Sequence, residues 1–137
     1  MRTFIDTNVL VYADDAGHEE KQAQARAQLY EVISRGEAVL STQVLQEFFS
    51  IATRKLGMTA QAARARVETL ARLDLVRIEA ETILAAIDLH RLRQLSFWDA
   101  LVIRAAVAGG CERVLTEDLS HGERYDGVLA ENPFRAR

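Results

Sequence analysis

The chain has 137 residues, 49% of them hydrophobic and 27% charged, with a formal net charge of −3. That length predicts one compact domain over residues 1–137, with little left for a linker or disordered tail around the one proline, Pro133. The lone cysteine, Cys111, excludes an intrachain disulfide, and the acidic balance argues against bulk positive charge as a means of gripping nucleic acid.

In chain order, Thr3-Phe4-Ile5 predicts a short buried strand ending at Asp6, and Val9 to Tyr12 begins a short helix. His18 to Ser34 predicts a polar-rich helix with Ala25, Leu29, Val32 and Ile33 as its apolar stripe, stopped by Gly36. Ala38-Val39-Leu40 is a second buried strand. Ser41 or Thr42 caps a helix running to about Leu56, with Arg54 and Lys55 in its last turn. Thr59 caps the next helix, whose apolar residues are Ala62, Val67 and Leu70. Leu75 to Ile78 is a third strand. Glu81 to Gln94 predicts a helix with Ile83, Leu84, Ile87 and Leu92 available to bury.

Ser96 opens a helix, Phe97 to Ala108, that is apolar nearly all round and therefore buried on more than one side, with Trp98 expected in the core. This apolar run is broken by Arg104 and too short to span a bilayer, and the start of the chain lacks a signal-peptide core. A cytoplasmic protein without membrane contact is expected. Cys111 is expected to be a buried structural thiol, since no basic cluster flanks it. Arg113 to Thr116 is a fourth strand, and Val128-Leu129 a short fifth.

Strands alternating with helices predict parallel βαβ units: a three-layer α/β/α sandwich around a mostly parallel sheet of four to five strands. Such sheets bind ligands beyond the carboxyl ends of their strands. Four acids fall there. Asp6 and Asp118 follow predicted strands, Asp99 lies in the first turn of a helix, and Glu47 sits one to two turns into a helix that follows a strand. Carboxylates near apolar side chains are costly unless paired. Four of them suggest a shared hard divalent cation such as Mg²⁺, and chemistry on phosphodiesters. Setting those four of the 20 acids aside leaves 16 against 17 lysines and arginines, a balance of +1.

Each acid has a plainer reading. Asp6 can cap the helix after it, Asp99 fits a capping box with Ser96, Asp118 suits a turn, and Glu47 lies at the edge of an apolar arc where a solvated residue is common. Glu117 is an alternative ligand to Asp118, though alternation along the strand points it elsewhere. His18, His90 and His121 are scattered without metal-ligand spacing, which disfavours zinc.

The residues carry a resemblance. Phe4-Ile5-Asp6-Thr7-Asn8-Val9-Leu10-Val11-Tyr12 resembles the opening motif of PIN-domain proteins, and Ser41-Thr42-Gln43-Val44-Leu45-Gln46-Glu47-Phe48 their second acidic motif. Ser96-Phe97-Trp98-Asp99-Ala100-Leu101 resembles the third and Leu115-Thr116-Glu117-Asp118-Leu119-Ser120-His121-Gly122 the fourth, while Asn132-Pro133-Phe134 is similar to the tail of one bacterial subgroup. Each motif is weak alone; four in order over essentially the whole chain are specific. The resemblance implies an acidic site of Asp6, Glu47, Asp99 and Asp118 binding Mg²⁺ or Mn²⁺, ribonuclease activity, and the toxin role of VapC-like toxin–antitoxin pairs. It implies an RNA substrate, an antitoxin partner and a homodimer, for which Leu29, Tyr30, Phe48 and Phe49 offer an apolar patch.

Thr7, Asn8, Ser96 and Thr116 are placed to hold the carboxylates by hydrogen bonds. Arg54 and Lys55 close the helix of Glu47 and could meet a substrate backbone. Two rivals stand beside this reading: a non-catalytic module docking a basic partner in the acidic pocket, and a PIN ribonuclease that is no toxin. A phosphatase-type site is disfavoured because Asn8 stands where a second Asp is needed.

Overall fold

The computed structural model describes residues 1–135. Six strands form one sheet: β1 (Thr3–Ile5), β2 (Ala38–Ser41), β3 (Asp74–Val76), β4 (Arg113–Leu115), β5 (Arg124–Tyr125) and β6 (Val128–Glu131), in the order β3-β2-β1-β4-β6-β5. All neighbours are parallel except β5 and β6. Phe4, Ile5, Val39, Leu40, Val114 and Leu115 are shielded on both faces, as parallel strands covered by helices require.

The six helices are α1 (Thr7–Ala13), α2 (Glu19–Ser34), α3 (Thr42–Arg54), α4 (Ala60–Leu70), α5 (Ala80–Leu92) and α6 (Phe97–Ala108). α1 packs on α2 and α3, α3 packs on α4, and α5 packs on α6. Right-handed crossovers put α1 to α4 on one face of the sheet and α5 and α6 on the other. The three-layer sandwich is the expected one. Caps set the helix starts: the Ser41, Thr59 and Ser96 hydroxyls accept from the backbone N–H three residues on, at 3.2, 3.1 and 3.0 Å.

The sheet has one strand more than the expected four to five. β5 pairs with β6 through a two-residue turn, Asp126-Gly127, with φ of 50° and 84°. Positive φ at both positions matches a primed turn, for which Asp-Gly is a strong signal that the alternation of helices and strands obscures.

Five side-chain expectations need correcting. On α5, Ala86 and Leu89 are buried, while Ile83, Leu84, Ile87 and Leu92 are exposed. The helix carries two apolar stripes, and the one with the small residue lies inward. Trp98 is 61% exposed rather than in the core; its ring meets Phe97 edge-on. On α4, Ala63 rather than Ala62 faces inward, and Ile33 of α2 lies outside the buried stripe of Ala25, Leu29 and Val32. Leu29 and Phe48 belong to the core, leaving only Tyr30 and Phe49 of the proposed dimer patch exposed.

Cys111 is buried as expected, and burial pushes its thiol up to about 11. Among the described residues no helix is long and apolar enough to cross a membrane.

Candidate active site

β1 and β4 lie side by side at the centre of the sheet. The chain leaves β1 toward β2 and reaches β4 from the opposite face, so their carboxyl ends flank the point where strand order reverses. Asp6 follows β1 directly, and Asp118 lies three residues past the end of β4. A cleft of about 470 Å³ opens there, lined by Asp6, Glu47 and Asp118 among others. A second cleft of about 390 Å³ adjoins it, lined by Asp99 and again by Asp118. Three of the four acids thus share one cleft. Asp99 stands across Asp118 in the other.

Asp6 is 6% exposed and caps α1, accepting from the Thr7 backbone N–H at 2.7 Å. Its other oxygen accepts from the Thr116 hydroxyl at 2.8 Å and from the Asn8 amide at 3.4 Å. Burial raises its pKa from 3.8 to about 7, helped by the charges of Asp118 and Glu47; the bonds from Thr116 and Thr7 oppose the rise. Capping and site membership therefore coexist in one carboxylate.

The other acids are held by neutral donors. The Thr7 hydroxyl donates to Glu47 at 3.0 Å, and the Asn8 amide donates to Asp118 at 3.1 Å. The Asp118 backbone N–H donates to the Thr116 hydroxyl oxygen at 3.1 Å, which fixes the turn that follows β4. Asp99 is partly buried, and that burial raises its pKa, with Asp118 adding to the rise and Ser96 opposing it. The Ser96 hydroxyl oxygen caps α6 by accepting from the Asp99 N–H.

The donor set suits a hard cation: carboxylate oxygens ringed by neutral hydrogen-bond donors, with one buried amide oxygen, Asn8 Oδ1, left without a partner. As placed, no three His, Cys, Asp or Glu side chains among the described residues are gathered closely enough to hold a metal ion. The Asn8 amide reaches both Asp6 and Asp118.

The PIN domain family model matches residues 3–126. The chain belongs to the PIN domain family. Among solved structures, the fold is similar to the Mycobacterium tuberculosis VapC20 toxin, described as cleaving the sarcin–ricin loop, with 22% identity, TM-score 0.65, and coverage of 82% of this chain and 86% of that one. A toxin–antitoxin complex from Klebsiella pneumoniae matches at 18% identity and TM-score 0.66 over 98% of this chain and 99% of the other. VapBC2 from Rickettsia felis, bound to a fragment of its promoter DNA, matches at 18% identity and TM-score 0.65 over 96% and 98%. A comparison with curated proteins finds no significant match.

In this PIN domain the cleft also contains Glu117, which strand alternation points elsewhere but which lines the cleft beside Asp118, and Asp15, which local pattern barely marks. Asp15 lines it and pairs with His18 at 2.7 Å, and Glu117 lines it and pairs with Lys21 at 2.9 Å. Lys55 lines the same cleft at the end of α3, with no carboxylate partner among the described residues. The acidic pair Asp14-Asp15 after α1 is a faint signal for Asp15. Nothing local marks Lys21, whose partners lie 9 and 96 residues away.

Proposed function

We propose that this PIN domain is a Mg²⁺- or Mn²⁺-dependent endoribonuclease and the toxin of a VapBC-like pair. The observation that carries this reading is the cleft at the carboxyl ends of β1 and β4, which Asp6, Glu47 and Asp118 line, each held by neutral hydrogen-bonding partners. Asp6, Glu47 and Asp118 would hold the cation, with Asp99 reaching it across Asp118. A cation bound there supplies a more acidic water and offsets charge at the scissile phosphate.

The chain's own residues do the rest. Thr7, Asn8 and Thr116 fix carboxylate orientation, so that little reorganisation is needed when substrate arrives. A carboxylate of this cluster accepts the proton of the attacking water. Lys55, at the cleft wall, takes a flanking phosphate of the RNA.

The Klebsiella and Rickettsia neighbours support an antitoxin as the second partner. An Arg or Lys from such a partner would pair with the cleft carboxylates and exclude substrate. A second copy of the chain is the other expected partner.

The test is cleavage of RNA by purified protein. Activity should require Mg²⁺ or Mn²⁺, vanish in chelator, return on adding metal, and be absent in Asp6→Asn. Growth arrest on expression, relieved by the product of the adjacent gene, tests the toxin role. Robust cleavage in chelator would sink the metal-dependent reading, and active enzyme without growth arrest would point to a non-toxin PIN ribonuclease.

A further inference from the structure

Five carboxylates line the main cleft: Asp6, Asp15, Glu47, Glu117 and Asp118. Their partners divide them into two groups. Asp6, Glu47 and Asp118 are met by neutral donors, from Thr7, Asn8 and Thr116. Asp15 is met by the His18 imidazole and Glu117 by the Lys21 ammonium. Glu117 directly precedes Asp118, so two carboxylates on adjacent residues line one cleft and only one has a cation of the chain's own.

Lys21 is itself held from several sides. Its Nζ lies 2.9 Å from Glu117 Oε2 and 3.3 Å from the Tyr12 hydroxyl. It sits 4.4 Å from the centre of the Tyr12 ring and 5.2 Å from that of Phe134, and those two rings meet edge-on at 5.0 Å. The ammonium therefore joins four segments: α1, α2, the turn after β4, and the segment after β6. Cation–π contact and a charge-assisted hydrogen bond both favour this one position.

We propose that Lys21 is a positioning residue of the cleft, which holds the Glu117 carboxylate out of the cation site so that Asp118 alone of the adjacent pair is offered to it. The proposal rests on the nuclease reading for its consequence in turnover, but not for its consequence in structure. Removing the ammonium frees Glu117 to swing toward Asp118. The freed carboxylate deepens the negative potential of the cleft, so a divalent cation binds more tightly. It also competes with substrate phosphate for that cation, so turnover slows. Loss of structure alone would weaken both.

The experiment compares wild type with Lys21→Met, Lys21→Arg, Glu117→Gln and the double variant Lys21→Met/Glu117→Gln. Three quantities are read: Mn²⁺ affinity by calorimetry, hydrogen exchange of residues 116–120 and 132–134, and RNA cleavage as kcat and KM. Lys21→Met should exchange faster in both segments and bind Mn²⁺ about threefold more tightly or better, while kcat falls about tenfold or more. Lys21→Arg should stay close to wild type. The double variant should regain most of the lost kcat and the wild-type Mn²⁺ affinity, because the competing carboxylate is gone. Lys21→Met with unchanged exchange and Mn²⁺ affinity overturns the proposal, as does a double variant no better than Lys21→Met. The exchange and Mn²⁺ measurements need no RNA. If they behave as stated while wild type cleaves nothing, the nuclease reading fails and the role of Lys21 stands.

Discussion

At the residue scale, Asp6 carries the largest electrostatic consequence. Its pKa is near 7 when folded, against 3.8 for an unperturbed aspartate, so the folded chain binds this proton more tightly. The neutral acid therefore favours folding fully below about pH 4, and that contribution is lost as pH rises toward 7. The difference is on the order of 4 kcal/mol. Without added metal, wild type should lose melting temperature between pH 4 and 7 relative to Asp6→Asn, which lacks the titrating group. Mg²⁺ or Mn²⁺ at pH 8 should recover much of that loss in wild type and little in the variant; parallel curves for the two proteins would contradict this.

Asp99 separates two roles in the same way. Ser96→Ala should cost about 0.5–2 kcal/mol by removing the α6 cap, with cleavage kept in the folded fraction. Asp99→Asn should abolish cleavage whatever its melting temperature, and full activity in that variant would reduce Asp99 to a structural residue. Asp6 and Asp118 are legible because each follows a strand, Glu47 because its helix follows one, and Asp99 because it stands in the first turn of a capped helix; Thr7, Asn8, Ser96 and Thr116 lie within three residues of an acid. Lys21 is not legible. Its contact with Glu117 spans 96 residues and exists only through the fold.

At the element scale, sequence and structure agree where one local signal dominates. Ser41, Thr59 and Ser96 mark helix starts because a cap is read from adjacent residues. The inward face of α5 is a different matter. Bulk favours Ile83, Leu84 and Ile87, yet Ala86 and Leu89 face inward, a choice made by the partner helix rather than by hydrophobicity. The same demand for close approach appears at Gly109, which caps α6. A Cβ there would meet Val76 Cγ2 at 2.9 Å and Val39 Cγ1 at 3.0 Å. Those contacts lie on two stiff β-branched side chains in neighbouring strands. Gly109→Ala should lower stability by about 1–3 kcal/mol in urea unfolding, despite an unstrained φ of −82°. Unchanged stability would mean that α6 can lift off the sheet freely.

At the scale of the whole molecule, the exposed residues of α5 bear on assembly. Ile83, Leu84 and Ile87 lie on one stripe, Leu92 follows at the end of the helix, and Trp98 is exposed at the start of α6. Large apolar side chains grouped on one surface favour contact with another chain. We propose this stripe as the surface that meets a second copy, since Leu29 and Phe48 of the patch first expected are buried. Light scattering at micromolar concentration should give about twice the monomer mass, as the commonest two-fold assembly requires, and Leu84→Glu should return the monomer. A monomeric wild type would remove the second copy as a partner.

The placing of β1 between β2 and β4 has a further effect, on when the cleft comes into being. Both neighbours pair with β1 in parallel, so neither pairing can arise from a tight hairpin. Asp6 is translated long before Asp118, and the Thr116 bond to Asp6 spans 110 positions. A growing chain can form α1 to α4 against β1 and β2, but it has no cleft until β4 has left the ribosome and docked. Such long-range pairing also folds slowly. The carboxylates that line the cleft are thus brought together only late in folding, after most of the chain has been made.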